Sequence, residues 1–475
     1  MNMSTATQTV RSWLGIPYAT AQRFQRPRLL PFDRNRSFDH LGPAPMQAGD
    51  TSWLNAKNGV SEDCLNLNVW APDQTNGNPL PVIVYIFGGG FEVGANTSAT
   101  SNGSGLAKTG RAVCVSVNYR LGPFGWLSLS QYGGVFANAT NLGLQDMTTA
   151  LKWVQENIAC FGGDPQNVTV AGHSAGAYSA IGLLAAPSAR GLYKRLSAFS
   201  GGASRIVPAW WAEELAMKFL AALDIADDPE QLLNLDAKVL AETLFKVTPR
   251  DIGDRHGIDN TTIGIVDDRS QPGAILDSTP LEVLRSGACR GVDIIFSTTS
   301  NEADWWVLNA TEKFDPGSIS NIVEELVVKS RIPRSRAKRI VATYNVNGRT
   351  PVEVRGALFT DYFFTLPAAR AALAHAAAGG NARLLTVGPV EGAPAVHGTE
   401  MYGIVGQQRP DCGDQQVTRD VFVRDALLDF AEGNHDRLWE TVKNDPISQG
   451  VGKLTYEPTA RAIKVLEIFE HVVRT

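Results

Sequence analysis

Apolar residues fall along this chain in short unbroken runs, separated by longer stretches where they recur at helical spacing. The runs at 82–87, 112–118 and 168–171 are rich in Val or Ile and are bounded by Gly, Pro or Asn. An unbroken run has no polar face, so each predicts a strand buried on both sides. Between the second and third lies a helical pattern at 144–158. It is closed by Phe161-Gly162-Gly163-Asp164-Pro165, where glycines past the last turn and a proline beyond them stop a helix. Further buried strands are predicted at 196–200, 292–297 and 383–387. Strands spaced by helices imply an α/β fold with a mostly parallel, twisted sheet covered on both faces.

Three stretches, 209–244, 318–344 and 357–378, read as helices without strands, the last ending in the Ala-rich segment 368–378. They are expected above the C-terminal edge of the sheet, where ligands bind in such folds, as the walls of a gorge. The segment 461–473 reads as an amphipathic helix that packs on the core. No long Pro-, Gly- or Ser-rich linker divides the chain. We therefore expect one domain over 1–475, with cap-like helical insertions at about 205–290 and 303–380.

The third strand runs into Gly172-His173-Ser174-Ala175-Gly176, and a run of small residues follows. Glycines on both sides of a serine permit a tight strand-to-helix turn that lifts the hydroxyl out of the sheet. Such a serine needs a base, and the base needs a carboxylate to fix its tautomer. The seven histidines can be sorted by context. His173 adjoins Ser174 and is expected to point elsewhere on the turn. His40 precedes the first core strand, His256 lies in the insertion, His375 sits among alanines, and His435 and His471 belong to C-terminal helical segments. His397 remains, in a Gly/Pro loop after a buried strand. The carboxylate is expected after the strand at 292–297, where Glu302 and Asp304 both qualify, Asp304 also as a helix-capping acid. Phe87-Gly88-Gly89-Gly90-Phe91 follows the first buried strand directly, so its backbone N–H groups can turn into a cavity. Together with the N–H of Ala175, they would stabilise an oxyanion.

Composition narrows the alternatives. The formal net charge of -5 and 19% charged residues leave no basic footprint for nucleic acid. No apolar run is long enough for a membrane span, and residues 1–10 lack the apolar core of a secretory signal. The five cysteines, Cys64, Cys114, Cys160, Cys289 and Cys412, are scattered. They suggest neither a zinc site nor a disulfide framework, and fit a reducing, cytoplasmic compartment. Cys114 and Cys160 read as small core residues. Sequons such as those at Asn138 and Asn260 carry no weight without a signal. Neither metal nor cofactor is called for.

With these pieces in place, the chain resembles the type-B carboxylesterases, the cholinesterase-like branch of the α/β-hydrolases. The likeness is densest in Gly15-Ile16-Pro17-Tyr18-Ala19, Ser61-Glu62-Asp63-Cys64-Leu65-Asn66-Leu67-Asn68-Val69, Asn118-Tyr119-Arg120 and Phe161-Gly162-Gly163-Asp164-Pro165. It implies an α/β-hydrolase fold and hydrolysis of small-molecule esters through an acyl-enzyme. Ser174 would be nucleophile, Glu302 acid and His397 base. Gly89, Gly90 and Ala175 would form the oxyanion hole, and Ser200 would orient the acid. It also implies two structural ion pairs, Arg23 with Glu62 and Arg120 with Asp146. The chain departs from the family in carrying Phe87 where His is usual and His173 where Glu is usual. It also has no earlier cysteine to pair with Cys64. Losing the Glu disfavours a cationic, choline-like substrate. The two changes leave open a pathway-specific hydrolase of an amide, carbamate, peptide or strained ring. A non-catalytic scaffold member is the remaining reading, which a complete triad opposes. Phe87, His173, Trp305 and Trp306 are candidates to touch substrate, and Trp53 a weaker one.

Overall fold

The computed structural model describes residues 9–73, 77–256, 262–309, 314–346 and 348–472. The sequon at Asn260 and the helix end expected at Val473 lie outside them, as does most of the N-terminal stretch read for a signal.

Among the described residues, nine strands form one sheet: β1 (Val10–Pro17), β2 (Asn66–Pro72), β3 (Leu80–Ile86), β4 (Val113–Val117), β5 (Gly163–His173), β6 (Arg195–Phe199), β7 (Asp293–Thr299), β8 (Ala382–Val387) and β9 (Ser448–Val451). Their spatial order is β1-β2-β4-β3-β5-β6-β7-β8-β9. β1 pairs antiparallel with β2, and β2 with β4. From β4 through β3 to β9 every pairing is parallel. The six predicted runs are all strands, each within a few residues of its expected bounds.

Three strands were not anticipated. β1 and β9 are edge strands with mixed, half-buried residues, so they lack an apolar run. β2 is fully buried but carries Asn66 and Asn68. Asn68 accepts from the Gly15 N–H at 2.8 Å and donates to the Asn96 carbonyl at 3.1 Å, so its polarity is satisfied inside.

Helix α1 (Leu142–Asn157) follows β4, and α2 (Ala175–Gly182) starts directly after Ser174. The first insertion contributes α3 (Ala209–Ala222) and α4 (Ala237–Val247), and also a short parallel pair, Ile206–Pro208 with Ile265–Asp267. The second contributes α5 (Asp304–Asn309), α6 (Ile319–Lys329), α7 (Arg334–Tyr344), α8 (Pro351–Thr360) and α9 (Leu366–Ala377). A wide turn of π type at Asp361–Thr365 joins α8 to α9. The last helix, α10 (Pro458–Ile468), buries Val465, and Phe469 just beyond its end stacks on Tyr362 in this helical layer.

Both expected ion pairs are present. Arg23 Nε donates to Glu62 at 2.8 Å. Arg120 grips Asp146 through Nε at 2.9 Å and Nη2 at 2.8 Å, both side chains being buried. All five cysteines are free. Cys160 departs from its expected core position: it lies exposed in the 3-10 turn that ends α1, where the chain faces solvent. No described helix is long and apolar enough to cross a membrane.

Candidate active site

Parallel register brings the ends of five strands to one edge, and each end delivers one part of the site. β5 ends at His173, level with Phe199 at the end of β6. The Ser174 N–H then bonds the Phe199 carbonyl at 2.8 Å, and the Ser200 N–H bonds the Ser297 carbonyl of β7 at 2.8 Å. Ser174 sits at φ 53°, ψ -120°, outside the ordinary regions for an L-residue. Strain of this kind costs about 1–3 kcal/mol and persists only where surrounding structure enforces it. The enforcement is steric. A Cβ on Gly172 would lie 2.3 Å from the Gly176 carbonyl oxygen, and one on Gly176 would lie 2.1 Å from that of Ile86. Strand, turn and helix are therefore in backbone contact, and the serine projects away from them.

His397 Nε2 lies 2.8 Å from Ser174 Oγ, and His397 Nδ1 lies 2.7 Å from Glu302 Oε2. The two loops are joined through their backbones as well: His397 N–H to the Glu302 carbonyl at 3.3 Å, and Asn301 N–H to the Ala395 carbonyl at 3.1 Å. Glu302, fully buried, is the carboxylate that meets the His397 ring. Asp304 instead accepts from Asn301 Nδ2 at 3.0 Å and stands in the first turn of α5. Burial pushes the His397 imidazole well below its ordinary value, with the Arg205 guanidinium adding to it. The ring is thus neutral and able to take a proton.

Ser200 Oγ is 2.7 Å from Glu302 Oε1 and also 2.7 Å from Glu400 Oε1. A hydroxyl has one proton to give, so one of the two acids must donate to it. Glu302 already faces the His397 ring and accepts the Thr299 N–H at 2.8 Å. Glu400 Oε2 has no hydrogen-bond partner among the described residues. The negative charge therefore belongs on Glu302, and Glu400 holds a proton. Burial, then the charge of Glu302, push Glu400 upward. Sequence reading missed Glu400. Its only signal is its place three residues after His397, where a turn through Gly398 brings it behind that histidine.

Gly89 and Gly90 follow β3 at φ 118° and φ 65°. Among the described residues neither N–H is taken by another group, and the Ala175 N–H, at the first position of α2, is likewise free of an intrahelical acceptor. Gly89 and Gly90 line the cavity that holds Ser174, and Ala175 adjoins that serine in the chain. Phe87 stacks on Tyr119 with ring centroids 4.5 Å apart and is wedged in the cavity floor. His173 does not point away as expected. The space left by Gly88 admits its ring, which lies buried with its centroid 4.9 Å from that of His397. Burial pushes it well below its ordinary value, so it is a neutral neighbour of the base.

The triad opens into a cavity of about 750 Å³. Trp306 and Phe364 flank His397 at 5.1 and 5.3 Å between centroids. Trp305, 41% exposed, and Trp53, 52% exposed, stand at the rim of the same cavity. A space of this size, lined by aromatics with a few convergent polar groups, suits a small organic molecule.

Comparison with known proteins agrees with this geometry. The carboxylesterase family profile matches residues 1–386. The chain belongs to the carboxylesterase family. It is 36% identical over 308 residues to the para-nitrobenzyl esterase of Bacillus subtilis, a match that covers 63% of this chain and 60% of that protein. Cholinesterase 1 of Branchiostoma lanceolatum is 35% identical over 285 residues, covering 57% of this chain and 75% of that protein. Among solved structures, a PNB esterase superposes with a TM-score of 0.81 at 29% identity, covering 96% of both chains. The carboxylesterase Est55 of Geobacillus stearothermophilus gives 0.82 at 27% identity, covering 98% of this chain and 97% of that one. The sequence match thus spans less than two thirds of the Bacillus para-nitrobenzyl esterase, while the fold matches solved structures over nearly the whole length. The α/β-hydrolase architecture is shared with these solved structures over nearly the whole chain.

Proposed function

We propose that this member of the carboxylesterase family is a serine hydrolase of small carboxylic esters, with Ser174 as nucleophile, His397 as base and Glu302 as acid. The observation that carries the reading is the unbroken line Ser174 Oγ, His397 Nε2, His397 Nδ1, Glu302 Oε2, with links of 2.8 and 2.7 Å. In the first step Ser174 Oγ attacks the ester carbonyl while His397 Nε2 takes its proton. The carbonyl oxygen gains the charge and receives hydrogen bonds from the N–H groups of Gly89, Gly90 and Ala175. Removing one such donor costs about 3–4 kcal/mol in comparable sites. Glu302 stabilises the imidazolium, which returns its proton to the leaving alcohol as the ester C–O bond breaks. Water then attacks the acyl-enzyme with His397 again as base, and the acid leaves.

Both insertions supply walls of one cavity, which supports reading the chain as a single hydrolase domain. Free cysteines throughout, with Cys160 exposed, support a reducing compartment such as the cytoplasm. The test is hydrolysis of p-nitrophenyl acetate together with labelling by a fluorophosphonate. Ser174→Ala should abolish both, and full activity in that variant would overturn the assignment.

A further inference from the structure

The loop that carries Gly89 and Gly90 is fastened to the first insertion by one carboxylate. The loop itself is tight. The Glu92 and Val93 N–H groups both bond the Gly89 carbonyl at 3.1 Å, and a Cβ on Gly89 would lie 1.9 Å from the Val93 carbonyl oxygen. Phe91 is fully buried, its ring centroid 4.5 Å from that of Trp126. Glu92, 5% exposed, meets the insertion. Its Oε1 accepts from Thr248 Oγ1 at 2.7 Å and from Arg250 Nη2 at 2.8 Å, and its Oε2 pairs with Arg255 Nη2. Arg255 Nε donates to the Pro249 carbonyl at 2.8 Å, which fixes the plane of the guanidinium. The remaining nitrogen, Nη1, stands over Gly90, where a Cβ would lie 2.4 Å from it. The guanidinium thus occupies the place of the side chain that Gly90 lacks.

Burying a carboxylate is costly, and this one is kept only because several donors meet it at once. Those donors come from one short stretch, Thr248 to Arg255, which lies 156 to 163 positions further along the chain. The stretch is held from behind as well. Arg355 grips Asp251 at 2.7 and 3.0 Å and Glu325 at 2.7 and 2.9 Å, so the second insertion braces the first. Gly90, at φ 65°, has no side chain of its own to pack. A backbone N–H serves a developing oxyanion only when aimed at the point where the charge forms, and a misplacement of about 1 Å can cost a hundredfold in rate. Gly90 must therefore be held from outside. Arg255 is the group in place to hold it, and Glu92 holds Arg255.

We propose that Glu92 and Arg255 are positioning residues of the oxyanion hole: the carboxylate seats the guanidinium on Gly90 and so fixes the direction of the Gly89 and Gly90 N–H groups. The proposal rests on the ester-hydrolase reading above and deepens it. Arg255 acts here by contact and not by its charge, and the two roles predict opposite signs. Glu92 offsets the Arg255 charge. Were that charge to stabilise the oxyanion through space, removing the carboxylate would strengthen the field and raise kcat. With Arg255 acting as the hold on Gly90, the same change releases it and lowers kcat.

The test measures p-nitrophenyl acetate turnover per reactive serine in Glu92→Gln, Arg255→Met and the double variant. Fluorophosphonate titration carried to completion counts the serines, so misfolded protein is not scored as slow catalysis. In Glu92→Gln the amide oxygen can still accept from Thr248 and Arg250. The amide nitrogen then meets Arg255 Nη2, donor against donor, so the seat of Arg255 is lost selectively. kcat should fall about tenfold in each single variant, with KM within about twofold of the parent. The double variant should lose no more than Arg255→Met alone, because both residues act through one contact. A trifluoromethyl ketone, whose adduct with Ser174 carries the same oxyanion, should bind more weakly by the same factor as kcat/KM falls. An unchanged or raised kcat in Glu92→Gln, losses that multiply in the double variant, or an unchanged ketone affinity would each overturn the proposal. So would a loss carried by KM or by the serine count alone, since the pair would then serve the substrate pocket or the fold. If the parent neither labels nor turns over any ester, the ester-hydrolase reading falls and this proposal with it. With an active parent, failure belongs to this proposal alone.

Discussion

Replacing Glu400 by glutamine is expected to leave the enzyme active at neutral pH and to remove its sensitivity to alkali. Two carboxylate oxygens each 2.7 Å from one hydroxyl lie close together. At a separation of about 5 Å and an effective dielectric near 20, two negative charges repel by about 3 kcal/mol. That is about two pK units, in addition to the desolvation that both groups suffer. Burial and the charge on Glu302 push the Glu400 carboxyl upward. While it is protonated its O–H donates to Ser200, and Ser200 donates to Glu302. In Glu400→Gln the amide N–H replaces the acid O–H, so kcat at neutral pH should stay within about threefold of the parent. In Glu400→Ala the donor and the packing both go, and kcat should fall about tenfold. As the pH rises into the alkaline range the parent ionises Glu400, and Ser200 must choose between two carboxylates. kcat/KM should then decline in the parent and stay level in the glutamine variant. The assay is p-nitrophenyl acetate hydrolysis over the neutral to alkaline range, with the uncatalysed rate subtracted. An alkaline limb in Glu400→Gln equal to that of the parent would refute the reasoning. So would a neutral-pH loss as large as that of Glu400→Ala.

Two further predictions come from buried groups. Burial and Arg205 hold His397 below its ordinary value, so the base stays neutral into mild acid. The acid limb of kcat/KM should lie below about pH 6.5, and a limb above that value would contradict the placement. Arg120→Met strands the Asp146 carboxylate, which is fully buried, and should cost about 3–5 kcal/mol in a urea titration, whereas the double change to Met and Leu should recover much of it. A loss below about 1 kcal/mol in the single variant would show that Asp146 finds water or another partner.

The central strands were legible because burial on both faces leaves an unbroken apolar run. The edge strands were not, because one side of β1 and β9 meets solvent and the polar residues there mask the pattern. Ser174 and His397 could be found by residue type and loop context, and Glu302 by its place after β7. The choice of Glu302 over Asp304 needed the family likeness, since both acids occupy the same turn. Glu400 and Arg255 were invisible for a different reason. Arg255 is brought over Gly90 by an insertion whose path is set by tertiary packing, and no local spacing records that approach. His173 shows the limit of reading a turn in isolation, because its ring goes where Gly88, from another strand, leaves room.

The line from Ser174 to His397 joins residues 223 positions apart, and Ser200 meets Glu400 across 200. Such a centre contains almost no local information. It cannot exist in a chain that has formed its helices but not yet zipped β5 through β8 into register, because contacts of this range come only after large loops have closed. Serine reactivity is therefore a gauge of completed topology rather than of secondary structure. A preparation can look folded by its helical content and still hold a population in which the nucleophile is inert.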